Sequence, residues 1–130
     1  MKINIKPISV NECWQGRRFK TPKYKGWESS ALSLLPSKSE AFGSGISGSL
    51  NGCLTAFFTF GVSSKNSDLD NLVKPFLDVL QKKYGFNDKQ IVRLIMEKKQ
   101  VEKGEEFVEF QITPHAVTIE TTMYSVLATC

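Results

Sequence analysis

Cys53-Leu54-Thr55-Ala56-Phe57-Phe58-Thr59-Phe60, Leu72-Val73-Lys74-Pro75-Phe76-Leu77-Asp78-Val79-Leu80 and Gln90-Ile91-Val92-Arg93-Leu94-Ile95-Met96 are the three stretches that decide the fold. The first is rich in Phe and Thr, lies between glycines and reads as a buried strand. In the second, Leu72, Val73, Phe76, Leu77 and Leu80 recur at helical spacing as far as Tyr84, and Gly85 marks the stop. In the third, Val92, Leu94 and Met96 share one face of a strand over residues 90–99.

Working outward, residues 107–113 place Val108, Phe110 and Ile112 on one face of a further strand, reached through a Lys103-Gly104-Glu105 turn. At the other end Lys2-Ile3-Asn4-Ile5-Lys6 alternates apolar and polar, a strand signal ended by Pro7. Pro22 suits the first turn of a helix running through Trp27, Ala31 and Leu34-Leu35, with Pro36 as its stop. Residues 42–52 are rich in Gly and Ser and read as a flexible connection. The order strand, helix, strand, helix, strand, strand predicts an α+β fold in two layers, a mixed β-sheet with helices packed on it. One domain is expected over residues 1–113, with 114–130 as an extension of it, either an edge strand near 117–121 or an arm for a dimer.

Composition narrows the chemistry. The 130 residues carry a net charge of +4, which favours polyanionic partners. Cys13, Cys53 and Cys130 are far apart, match no zinc spacing and are expected as free thiols in a reducing compartment. His115 is the only histidine, so no multi-histidine metal site can form within one chain, and it is expected at the surface. No apolar run is long enough to span a membrane and no signal-peptide core opens the chain, so a soluble intracellular protein is expected. If the protein is an enzyme, carboxylates and lysines do the work.

Four aspartates occur, and Asp68, Asp70 and Asp88 are the candidates. Ser67-Asp68-Leu69-Asp70 matches a helix N-terminus, where acidic residues are favoured by the helix dipole. A cap at Ser67 would bury Pro75 in the second turn at a cost of about 3 kcal/mol. A start near Asp70 or Asn71 avoids most of that cost and leaves Asp68 and Asp70 on one side of an extended approach. Two such carboxylates suit a hard cation. Lys74 is either a surface ion-pair partner of Asp70 or a fixed charge facing a phosphate. Asp88 reads by itself as a turn aspartate. Asp78 and Lys82-Lys83 read as solvated helix face.

The basic stretch Arg17, Arg18, Lys20, Lys23 and Lys25 suits phosphate contacts, and equally a solvated loop and helix start. Trp14, Phe19, Tyr24 and Trp27 interleave with it; such aromatics more often pack a core than stack on bases.

Taken together, Asp68-Leu69-Asp70-Asn71-Leu72-Val73-Lys74 and Asn87-Asp88-Lys89-Gln90-Ile91-Val92 resemble the core signature of the RusA family of Holliday-junction resolvases. That pattern is D-x-D-N-x-x-K followed by a helix, then D-x-Q opening a strand. The Lys98-Lys99 hairpin and the Pro7 to Trp14 region fit as well, and the resemblance spans roughly residues 1–113. It implies that Asp68, Asp70 and Asp88 are catalytic acids binding Mg²⁺ (or Mn²⁺) and that Lys74 is the catalytic lysine. It also implies a homodimer that cuts four-way DNA junctions by paired nicks, in the cytoplasm of a bacterium or encoded by its phage, on nucleoid DNA, in recombination and repair. Ser67 stands where the family often has a basic residue, with Lys65 as a possible substitute for DNA contact. The alternatives are a broader flap or branched-DNA nuclease, a junction-binding module that does not cleave, and an α+β interaction protein with a capped helix.

Overall fold

The computed structural model describes residues 1–16, 19–42 and 50–115. Six strands and three helices follow the predicted order with additions: β1 (Lys2–Ile3), β2 (Trp14–Gln15), β3 (Phe19–Lys20), α1 (Pro22–Leu34), α2 (Lys38–Phe42), β4 (Leu54–Val62), α3 (Leu69–Tyr84), β5 (Ile91–Gln100) and β6 (Phe107–Pro114). Among the described residues there are also 3-10 turns at Val10–Glu12 and Asp88–Gln90. The α+β reading holds. The predicted edge strand at 117–121 and most of the glycine-rich segment lie outside the described residues; Phe42 closes α2 and Leu50 is buried.

The main sheet has the order β1-β6-β4-β5. β4 runs antiparallel to β6 and parallel to β5, so the sheet is mixed as expected. Neighbouring parallel strands need a crossover, and α3 supplies it. From β4, Leu54, Ala56, Phe58, Phe60 and Val62 enter the core, where Val108, Phe110 and Ile112 of β6 join them; on its other face Thr55 is buried and Phe57 exposed. β5 is the far edge and buries much less, with Val92 50% and Leu94 36% exposed. Sharing a face in sequence did not make those residues core, because little covers the edge strand.

Phe76 of α3 closes the core from the helix side. Its ring lies 5.3 Å from Phe58, 6.0 Å from Phe60 and 5.7 Å from Phe110, each in edge-to-face geometry. Such pairs contribute about 0.5–1.5 kcal/mol each beyond area burial.

α3 corrects the expected helix start. It begins at Leu69 with Asp68 as the N-cap residue, which places Pro75 inside the helix. The missing Pro75 N–H leaves the Asn71 carbonyl without its helical donor. Burial offsets this: Pro75 and Phe76 are both enclosed, and so is Leu72 in the first turn. Gly85, at φ +81°, ends the helix in the left-handed region as predicted. α1 matches expectation, with Thr21 accepting the Tyr24 N–H at its cap and Pro22 in the first turn.

Among the described residues no helix is long and apolar enough to cross a membrane. His115 is half-buried, not a surface residue: its Nδ1 lies 2.9 Å from Thr55 Oγ1. Cys13 is a buried free thiol, whereas Cys53 is disulfide-bonded, which corrects its expected free state. Cys130 lies outside the described residues.

Phe76→Ala should cost about 3–5 kcal/mol, read from urea unfolding followed by circular dichroism. A loss under 1 kcal/mol would mean that the ring is not the core's keystone.

Candidate active site

Asp70, Lys74, Asp78 and Gln81 fall at helical spacing along one face of α3. Asp70 sits in the first helical turn, where the dipole favours a negative charge. Asp68 precedes it at φ −84° and ψ 126°, extended, and its side chain makes no cap bond. Because the helix has already begun at Leu69, Asp68 and Asp70 do not share one side of an extended segment. Asp68 Oδ2 accepts a long 3.5 Å bond from Asn71 Nδ2. The loop before it is tied to the edge strand, since Lys98 Nζ donates to the Ser67 carbonyl at 2.6 Å.

Lys74 pairs forward rather than back to Asp70. Its ammonium lies 2.9 Å from Asp78 and 3.4 Å from Asp88. Asp78 is therefore an ion-pair partner, not merely solvated helix face. The Lys74 pKa is raised, first by the hydrogen bond to Asp78 against an opposing burial effect, then by the Asp78 and Asp88 charges. With the folded value above the unfolded one, this contribution is full below the ordinary lysine range and is lost as pH climbs through the raised value. Lys74 thus stays cationic throughout the neutral range.

Asp88 is held from several directions. Its main-chain N–H donates to Gln81 Oε1 at 2.8 Å. The turn it opens carries a capping box, in which Asn87 accepts the Lys89 N–H and Gln90 Oε1 accepts the Asn87 N–H at 2.9 Å. Gln90 Nε2 then donates to the carbonyls of Leu50 and Gly52, 2.8 Å each. Gln81 and Gln90 are positioning residues with no role assigned from sequence. The Asn87-x-x-Gln90 spacing carried the signal for one of them, whereas nothing in the sequence joins Gln81 to Asp88.

The fit of a metal is partial. The donor set is of the hard-oxygen kind that suits Mg²⁺, which is commonly held by one or two carboxylates with waters. Asp68 and Asp70 are exposed, and the Asp70 side chain makes no hydrogen bond or ion pair among the described residues. Asp88 is engaged by Lys74, and no group of three acidic, His or Cys side chains among the described residues is disposed to hold a metal ion.

The expected DNA contacts divide. Lys20 pairs with Glu28 at 2.9 Å and Lys23 with Glu12 at 2.7 Å. Lys82 shares Glu28 at 3.2 Å and Lys83 donates to the Leu32 carbonyl, so these two tie α3 to α1. Lys25 and Lys65 are exposed, and Arg17 and Arg18 lie outside the described residues. Of the aromatics, Tyr24 is buried and Trp27 half-buried, donating from Nε1 to the Lys6 carbonyl. Trp14 and Phe19 are exposed, contrary to a core role.

Replacing Gln90 by Leu should remove about 1–3 kcal/mol of stability, measured by thermal unfolding, because it strips a main-chain N–H and two carbonyls of their partner. Burial first, then the Glu12, Asp78 and Glu28 charges, push the Cys13 thiol up to about 11. At pH 8 the native protein should therefore resist iodoacetamide at Cys13, with alkylation appearing only on unfolding. Peptide mass mapping reads the difference, and rapid native labelling would contradict it.

Residues 9–113 match the family model described as endodeoxyribonuclease RusA. No curated protein matches the chain. The matched span holds β2 to β5, all but the last residue of β6, α1 to α3, and every acid and lysine of the candidate site. The chain belongs to the RusA family and is an endodeoxyribonuclease of a family that cleaves Holliday junctions.

Proposed function

We propose that the protein resolves four-way DNA junctions as a Mg²⁺-dependent homodimer making paired, symmetric nicks, in recombination and repair. The observation that carries this reading is the placement of Lys74. It stands one helical turn after Asp70 on the same helix, and its ammonium reaches Asp88 across the chain's return at 3.4 Å.

Asp68 and Asp70, at the entrance of α3, are the carboxylates open to a cation, and Mn²⁺ would fit the same donors. Bound there, the metal would activate water and stabilise the leaving oxygen of the phosphodiester. Asp88 would hold the metal with those two carboxylates, and Lys74 would offer its fixed charge to the scissile phosphate. Gln81 holds the Asp88 main chain and Gln90 that of Asn87, which keeps the Asp88 turn in place. Lys25 and Lys65, with Arg17 and Arg18, would contact backbone phosphates, which set affinity without reading sequence. Two identical sites related by a two-fold axis suit a junction of the same approximate symmetry. Such a protein would work on nucleoid DNA in a bacterial cytoplasm, encoded by the host or by a phage.

The test is cleavage of a synthetic four-way junction with Mg²⁺, beside a flap and a linear duplex. Symmetric nicks on the junction alone are expected, and equal cutting of the flap would replace resolution with a broader branched-DNA activity. Asp70→Asn should lower cleavage by at least about a thousandfold while junction binding by gel shift stays within about threefold. Full activity in that variant would remove Asp70 from the site.

A further inference from the structure

We propose that Phe19 is a stacking wedge for an unpaired base at the branch of the DNA, presented beside the acid-bearing face of α3; this rests on the branched-DNA reading above. Phe19 is 72% exposed, more than any other large apolar side chain among the described residues. Exposure on a loose segment would mean little, but this ribbon is anchored. The β2–β3 register pairs Trp14 with Lys20 and Gln15 with Phe19, so Trp14 and Phe19 leave opposite faces. Trp14 turns down, its ring edge-on to buried Tyr24 at 5.8 Å, and Phe19 stands out. At the ribbon's base the Thr21 N–H donates to the Cys13 carbonyl at 2.8 Å, and the Thr21 hydroxyl to the Glu12 carbonyl at 2.7 Å.

The same ribbon is clamped to the catalytic helix. Glu28 joins Lys20 of β3 at 2.9 Å to Lys82 of α3 at 3.2 Å. The 3-10 turn Val10–Glu12, immediately before β2, packs on α3 as well. Phe19 is therefore carried at a fixed place relative to Lys74 and Asp78.

Chemistry selects the occupant. An open cleft of about 580 Å³ is lined by Trp14, Gln15, Phe19, Lys20, Pro22 and Lys25, with no acid among them. Residues 14–27 contain five basic residues and no Asp or Glu. Lys20 is held by Glu28, and Lys25, exposed beside the ring, suits a polyanion with an accessible base face. A continuous duplex hides its base faces in the stack, whereas a branch exposes them, and apolar wedges enter at unstacked steps.

The test places 2-aminopurine at each branch position of a four-way junction and follows its fluorescence on binding, with Ca²⁺ replacing Mg²⁺ to withhold cleavage. Wild type should change the emission at a branch position. Phe19→Ala should abolish that change and weaken junction binding about tenfold while linear-duplex binding is unaffected. Phe19→Trp should restore both. Retention of the signal in Phe19→Ala, its absence in wild type, or equal weakening on junction and duplex would overturn the proposal. Cleavage by wild type in Mg²⁺ is scored separately. Cutting without a branch signal keeps the nuclease reading and removes the wedge, whereas a Phe19-dependent signal without cutting does the reverse.

Discussion

Because β4 and β5 run parallel, the chain between them must travel back along the sheet, and α3 is the segment that does so. Much of the molecule follows from that return. The helix can lie on the sheet only if it buries one face, and Phe76 meets Phe58, Phe60 and Phe110 there. With that face committed to the core, Asp70, Lys74, Asp78 and Gln81 are left on the side open to a substrate. The packing that stabilises the fold thus also sets the orientation of the candidate chemistry. It also explains a proline within the helix, since the burial of Pro75 and its neighbours offsets one lost main-chain hydrogen bond.

Polar side chains do the remaining alignment. Gln81 reaches from the helix to the Asp88 main chain, and Gln90 reaches from the following turn to the chain entering β4. These bonds join three segments that meet at one end of the sheet. Each glutamine spends both its donor and acceptor capacity on neighbours, which fixes a turn that would otherwise be only a short connection.

The basic charge is less uniform than the sequence suggests. Glu12 and Glu28 each take up lysines, and burial opposes while Lys20 and Lys82 favour the charged form of Glu28, whose pKa is lowered. These pairs are partly exposed and add little stability. Their value is geometric, since they hold the β2–β3 ribbon and α1 against α3. The side chains left outward on that ribbon differ in kind from those turned inward, and Phe19 is the clearest case.

The helix-spaced residues of α3, the alternation in β4 and β6, and the Pro22 and Gly85 boundaries were all legible in sequence, because each reflects a local period or a backbone preference. So was the family, through two short motifs whose combination is more specific than either alone. The start of α3 was not, because the local cost of Pro75 is decided by burial that no window of sequence contains. Nor was the partner of Lys74: four-residue spacing fits Asp70 and Asp78 equally, and only the chain's return brings Asp88 within 3.4 Å. Val92 and Leu94 share a face as surely as Val108 and Phe110 do, yet only the latter are buried. Periodicity determines which residues point together; the position of a strand within the sheet decides whether anything covers them.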